Sequence, residues 1–229
     1  DEGRRGRAAA IAASARVVDL GAGAGATLAA LHADAPGARW TLIDDDPGLL
    51  SHADRLAARL GARAETRRLD LAAAPDAALD GAPALVTASA FFDLVSAEWI
   101  ERFADAAAAA GAAIYAALTY DGCELWTPDH PEDATVRAAF AASMRRDKGF
   151  GPALGGDAAA ALATALAERG YRVETAPAPW RLERARDAAL ISALAEGQAQ
   201  ATGASPGWRR ARKAAETVEI GHLDLLATP

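Results

Sequence analysis

A chain of 229 residues with 52% hydrophobic content is long enough for one sizeable core, and its single cysteine excludes an internal disulfide. Thirty-one acidic side chains against 24 basic ones leave a net charge of -7, which argues against a nucleic-acid partner. Four scattered histidines lack metal-site spacing, and no apolar run approaches the roughly 20 residues of a membrane span. The opening run DEGRRGRAAA has neither a starting Met nor a signal-like apolar block, so we expect a cytoplasmic protein whose first residues are missing here. The many alanines, and the preference for Arg over Lys, show no fixed period and are a compositional bias.

In chain order, short β-rich runs alternate with amphipathic Ala/Leu stretches, the pattern of a parallel sheet covered by helices. Residues 15–20 (ARVVDL) predict a strand, followed by a glycine turn and a helix ending before Pro36. Residues 38–44 predict a second strand, after which Asp46 caps, and Pro47 opens, a helix that stops at Gly61. The alternating charges of 63–71 suit an edge strand, and the apolar run 82–89 a central one. Ser96 caps a helix running to Gly111, and 112–120 supplies a fifth strand. Residues 122–156, with one helix over 131–145 and a glycine-rich loop, form the longest departure from alternation and are expected to be a lid insertion. A helix between Asp157 and Gly170, a strand over 171–176, a helical insertion over 185–217 (185–200 and 206–217) and a last strand, VEIGHLDLLAT, complete one expected domain.

The glycine turn, in RVVDLGAGAGATLAAL, can bring backbone N–H groups and a helix N-terminus close to a ligand. Gly21, Gly23 and Ala26 satisfy the dinucleotide pattern Gly-x-Gly-x-x-Gly/Ala, so an NAD(P)-dependent oxidoreductase is one reading. Three features oppose it. Asp19 would place a carboxylate against two phosphates. Gly25 makes the spacing Gly-x-Gly-x-Gly, suited to the amino acid part of a nucleoside without phosphates. None of Tyr115, Tyr120 and Tyr171 has a Lys four residues later, the common pair of short-chain dehydrogenases.

VVDLGAGAGAT, then LIDDDP and LDL, resembles the class I S-adenosylmethionine-dependent methyltransferases, over most of the chain from Arg16 to the final strand. The resemblance implies a doubly wound, mostly parallel seven-stranded α/β sheet with an antiparallel last strand and helices on both faces. It also implies S-adenosylmethionine as cofactor, with S-adenosylhomocysteine as product. Asp19, Gly21, Gly23 and Gly25 match the family's first motif, with Ala22 inside the turn. Asp44, ending the second strand, takes the place of the acid that receives the ribose hydroxyls, with Asp45 beside it. Asp70 falls beside the adenine amino group, with Leu71 offering its backbone N–H, and Ala88 and Ser89 fall at the methionine part. A cofactor bearing a sulfonium and an ammonium suits a pocket of carboxylates better than NAD does.

Alignment of acceptor and methyl supplies roughly 7 to 11 kcal/mol of catalysis, and a general base about 10² to 10⁴-fold. The resemblance places Asp93, just beyond the fourth strand, where a polar residue faces the acceptor; its alternative is a helix-solvating Asp beside the competing cap Ser96. His130 is a second candidate base, reaching in from the lid, or simply the residue before a helix that starts Pro131-Glu132-Asp133. In RRDKGFGPALGG, Arg145, Lys148 and Phe150 are candidate acceptor-binding residues suited to an anionic group; the alternative is a helix C-terminus with favourable cations. WRRARK (208–213) reads as a solvated helix face. The absence of an Asn/Asp-Pro-Pro-Tyr-like run, of a Pro-Cys context and of a metal constellation disfavours methylation of nucleic-acid bases and catechol-type chemistry. The expectation is a metal-independent methyltransferase acting on O, N or C of a small molecule. A non-catalytic relative that binds the cofactor is the third reading, and oligomeric state is not legible.

Overall fold

The structure, a computed structural model, describes residues 2–229. One eight-stranded sheet runs through the molecule: β1 (Arg16–Leu20), β2 (Arg39–Asp44), β3 (Arg63–Arg68), β4 (Leu85–Ser89), β5 (Ala113–Thr127), β6 (Arg172–Pro177), β7 (Trp180–Glu183) and β8 (Thr217–Thr228). The order is β3-β2-β1-β4-β5-β8-β6, with β7 pairing to β8. β1 to β5 are mutually parallel and β8 runs antiparallel to β5, β6 and β7. The charged strand β3 lies at an edge and the apolar β4 at the centre, as an edge half-open to water and a strand buried on both faces require.

The helices are α1 (Glu2–Ala12), α2 (Ala26–Leu31), α3 (Pro47–Leu60), α4 (Ala97–Ala110), α5 (Asp133–Met144), α6 (Ala158–Glu168), α7 (Arg184–Thr202) and α8 (Pro206–Lys213). The Asp46 carboxylate caps α3 by accepting from Gly48 and Leu49 N–H, and the Ser96 hydroxyl caps α4 by accepting from Trp99 N–H. Two apolar layers cover the sheet. One joins Val18, Val86 and Ile114 to Phe103 of α4 and Leu162 of α6. The other joins Val17, Leu42 and Leu226 to Ala8 of α1, Leu28 of α2 and Ala57 of α3.

Several boundaries differ from the sequence reading. The run 2–12 is a helix, with Ala8, Ala9 and Ala12 buried and two of its arginines ion-paired at the surface: Arg5 lies 3.0 Å from Asp34 and Arg7 2.6 Å from Glu174. Residues 122–127 are strand rather than lid, because β5 continues past the end of β4 with two irregularities, between Ala116 and Thr119 and between Tyr120 and Glu124. At the first, the ladder is patched by Asp224, whose carboxylate accepts from Leu118 N–H (2.9 Å) and from the Tyr115 hydroxyl (3.2 Å). The extension of β5, the first half of β8 and β7 form an antiparallel annex covered by α5, α7 and α8. Its own core contains Tyr120, Trp126, Leu182, Ile191 and Val218. In α8, Trp208 and Arg212 are buried, so WRRARK is solvated on one face only. Arg212 donates to the Pro128 carbonyl at 2.7 Å, lies 3.5 Å from the Asp133 carboxylate and stacks over Trp126.

Candidate functional site

A cleft of about 440 Å³ opens at the carboxyl ends of the parallel strands, where an open α/β sheet exposes its backbone ends. Its floor is Gly21 after β1 and Asp44 and Asp45 at the end of β2; one wall is Leu69, Asp70 and Leu71 after β3. The other wall is Ala90, Phe91 and Leu94 after β4, with Lys148, Gly149 and Phe150 closing over from the loop that follows α5.

Asp44 organises the floor. Its Oδ2 accepts from Gly23 N–H at 2.9 Å and its Oδ1 from Asp46 N–H at 3.0 Å, while Ala22 N–H donates to the Ile43 carbonyl at 2.8 Å. The glycine turn is thereby laced to the end of β2, and the carboxylate is held at the cleft with lone pairs left for a ligand. Asp70 accepts from Ala72 N–H at 2.9 Å in a local turn, and the buried Leu71 gives its carbonyl to Trp99 Nε1 at 2.7 Å. Gly21 has φ +58, and a Cβ there would lie 2.7 Å from the Phe91 ring. Only glycine permits that approach. Phe91 in turn meets Trp99 and Phe150 edge to face, with ring centroids 5.4 and 5.5 Å away, so the loop is anchored to the cleft wall by an aromatic cluster. The loop is also tied by Leu154 N–H to the Val95 carbonyl (2.9 Å) and by Asp147 Oδ1, which accepts from Gly149 and Gly151.

Asp19 lies beneath the floor, fully buried, and does not line the cleft. Its Oδ1 accepts from the Thr87 hydroxyl at 2.6 Å and its Oδ2 has no partner. Burial pushes its pKa up to about 7, opposed by the Thr87 bond and reinforced by the charge of Asp44.

Other residues singled out from the sequence lie outside the cleft. Gly23 faces Asp44; Gly25, at φ +92, starts α2 and packs against Leu56 and Ala53 of α3. Ala88 is buried within β4, and Ser89 ends that strand beside Ala117. Asp93 is buried in a 3-10 turn (Phe92–Leu94) that packs near β5, α6 and a second 3-10 turn, Gly155–Asp157. Its Oδ1 has no partner, and burial pushes its pKa up to about 6. The placement of His130 as a base reaching into the cleft is corrected: the residue sits at the start of α5, its N–H donating to Asp133 and its Nδ1 accepting from Glu132 N–H. The anion clamp is corrected in part. Arg145 points to Asp157 at 2.6 Å, outside the cleft, whereas Lys148 lines it while donating to the Ser143 carbonyl at 3.2 Å. Phe91 was missed, although ASAFFD directly follows the fourth strand, where a turn must carry side chains over the glycine loop. Among the described residues, no group of three His, Cys, Asp or Glu is placed to hold a metal, and no helix is long and apolar enough to cross a membrane.

Residues 17–122 match the family model of a methyltransferase domain. The fold is similar to an O-methyltransferase family protein from Burkholderia thailandensis: 17% identity, TM-score 0.51, covering 96% of this chain and 55% of that one. The chain thus spans little more than half of that protein. It is also similar to precorrin-6y C5,15-methyltransferase from Geobacter metallireducens GS-15: 12% identity, TM-score 0.52, 97% and 85% covered. A third likeness is to a cyclopropane-fatty-acyl-phospholipid synthase-like protein from Lactobacillus casei ATCC 334: 15% identity, TM-score 0.58, 99% and 91% covered. At these identities the likeness is one of fold, and no curated protein matches the sequence. A mostly parallel sheet whose antiparallel strand is inserted beside β5, with a glycine turn after β1, is a Rossmann-like methyltransferase fold. Residues 17–122 thus carry a methyltransferase domain within that fold, and proteins of this domain family take their methyl group from S-adenosylmethionine.

Proposed function

We propose that this chain methylates an O, N or C atom of a small-molecule acceptor, binding S-adenosylmethionine in the cleft of Gly21, Asp44, Asp45, Asp70 and Leu71. The observation that carries this reading is the charge of the cleft: three carboxylates, Asp44, Asp45 and Asp70, line the space where a dinucleotide would need its diphosphate neutralised. They suit a nucleoside with hydroxyls and net positive charge. The sheet order, with β8 antiparallel between β5 and β6, also departs from that of dinucleotide folds.

When bound, S-adenosylmethionine supplies a methyl group on a sulfonium already activated for in-line displacement. In this reading Asp44 accepts the ribose hydroxyls, with Asp45 beside it, and Asp70 and Leu71 flank the base. Gly21 allows close approach, and Phe91 and Phe150 keep water from the reacting end. Asp93 is a candidate base through a rearrangement of its turn, supported by its raised pKa and unpartnered Oδ1. Among the cations of the loop, Lys148 is the one placed to meet an anionic acceptor group.

Calorimetric titration with S-adenosylhomocysteine beside NADH, on the wild type and Asp44→Ala, tests the reading. We expect micromolar binding of the nucleoside alone, weakened about 100-fold or more in the variant, since a charge-assisted contact is lost and the turn released. Binding of NADH in its place overturns the proposal.

A further inference from the structure

The amino ends of β1, β2 and β3 lie at the opposite end of the strands from the cleft. From Asp44 back to Arg39 is the length of β2, about 17 Å. The first residues of the three strands are Arg16, Arg39 and Arg63, and the ladder pairs Arg16 with Arg39 and Arg39 with Arg63. Partners in a parallel ladder share a face, so three guanidinium groups stand in one row on one side of the sheet. They line a groove of about 390 Å³ together with Thr41 and Glu65.

The groove is open because of what covers that face. The side carrying Val18, Leu20 and Ile43 is packed by α4 and α6, but the crossover from β3 to β4 supplies only a 3-10 turn, Asp76–Leu79, in place of a helix. Arg39 and Arg63 are exposed and Arg16 is half-buried. Beyond that turn the chain reverses through Gly81 (φ +77) and Ala82 (φ +47), and the Arg16 guanidinium fills the space beside Gly81 that a side chain would take. One end of the row is thereby held in place.

Like charges directly opposite one another on a sheet destabilise it, and this row has no counter-ion. Among the described residues, none of the three arginines makes an ion pair or a side-chain hydrogen bond. Glu65, the one acid in the lining, accepts from the Thr41 hydroxyl at 3.0 Å, and Asp80 pairs with Arg67 at 3.6 Å. Elsewhere in the same sheet the charges are matched: Arg181 and Glu219 are cross-strand partners 3.1 Å apart.

We infer that this groove binds a chain of linked phosphates, free or as the tail of a nucleotide. A guanidinium fork takes two oxygens of one phosphate at once. Strands about 4.8 Å apart set three such forks within roughly 10 Å, a span that two or three linked phosphates fill and a single one does not. Three cations on a chain of net charge -7 are too few for a nucleic-acid backbone, and fewer than the roughly four to eight of a membrane-binding basic cluster. Glu65 repels an anion from the inner end of the groove and confines it to the row. The site does not depend on the methyltransferase reading.

The test is calorimetry at low salt with inorganic triphosphate, orthophosphate, ATP and a short DNA duplex, on the wild type, Arg39→Gln and Arg63→Gln. S-adenosylhomocysteine titrations and thermal melts accompany it. Both substitutions are at exposed side chains. We expect one-site triphosphate binding, at least about tenfold weaker for orthophosphate and at least about tenfold weaker in either variant. S-adenosylhomocysteine binding stays unchanged, and the ligand-free variants melt no lower than the wild type because an unmatched charge is removed. ATP no tighter than triphosphate assigns the groove to the phosphate chain alone; tighter ATP that Arg39→Gln weakens assigns it to a nucleotide. Absence of triphosphate binding, affinity indifferent to both variants, orthophosphate as tight as triphosphate, or variants that melt lower without ligand overturns the site. Duplex binding tighter per phosphate than triphosphate, and lost in the variants, overturns the small-ligand assignment. A protein that binds triphosphate but not S-adenosylhomocysteine keeps this site and overturns the methyltransferase reading instead.

Discussion

The parallel half of the sheet, with its cleft, and the annex are built differently. Around the cleft, the placement of groups comes from backbone: consecutive parallel strands, a glycine turn, and N–H groups of Gly23 and Asp46 converging on one carboxylate. In the annex, placement comes from side chains distant in sequence. Ser205 donates to Glu132, Trp208 Nε1 to Asp133 at 2.8 Å, and Arg212 to the Pro128 carbonyl. A site held by backbone geometry tolerates drift in the side chains around it, whereas one held by long-range side-chain contacts can be reshaped by a few substitutions.

The contrast breaks first at Arg212. Arg212→Ala removes a buried guanidinium from between Pro128, Asp133 and Trp126. We expect a loss of roughly 3 kcal/mol, concentrated in α5 and α8 and visible as faster hydrogen exchange there, with S-adenosylhomocysteine affinity retained. An equal loss of cofactor binding would show that the two halves are one cooperative unit.

In the parallel half, the test is Asp19. Its folded-state pKa of about 7 lies above the ordinary 3.8, so the folded chain holds that proton more tightly than the unfolded one. The stability this provides is complete below about pH 4 and is lost as pH rises through about 7. Asp19→Asn keeps an acceptor for Thr87 and removes the charge. We expect the ligand-free variant to lose most of this decline and to be more stable above pH 7 by about 2 kcal/mol, less than the full shift because its amide N–H groups also lack a partner. Denaturant melts of both proteins across this pH range measure it; parallel profiles would mean that Asp19 does not titrate there.

The smallest effect belongs to Arg145, whose pairing with Asp157 is at the surface. Arg145→Ala should change stability by less than about 0.5 kcal/mol and leave acceptor affinity unaltered, whereas Lys148→Ala should weaken only acceptors bearing an anion. A change of affinity in Arg145→Ala, measured once an acceptor is known, would return that residue to the site.

The legible part of this protein was the part written locally. VVDLGAGAGAT followed by LIDDDP specifies a strand, a turn that accepts positive φ and a second strand ending in an acid, all within 30 residues. The sheet order follows from the same alternation, because right-handed crossovers leave few ways to stack consecutive parallel strands. Asp19 was visible as a motif residue, but its position beneath the floor was not, since the direction of a strand side chain relative to a cleft depends on what packs above it. His130 and Arg145 were misplaced for a related reason: their short-range partners, Asp133 and Asp157, hold them locally, and no pattern shows which groups a loop will turn toward a ligand. The annex required the fold itself. Tyr120, Phe140, Trp180, Leu194 and His222 share no motif and span about a hundred residues; only the bulged β5, carried past the end of β4 alongside β8, with β7 on the other side of β8, brings them together. Periodicity and turn chemistry act over a few residues and can be read along the chain, while a bulge-directed strand and the packing of three helices over it are decided by the sum of contacts that exists only after folding.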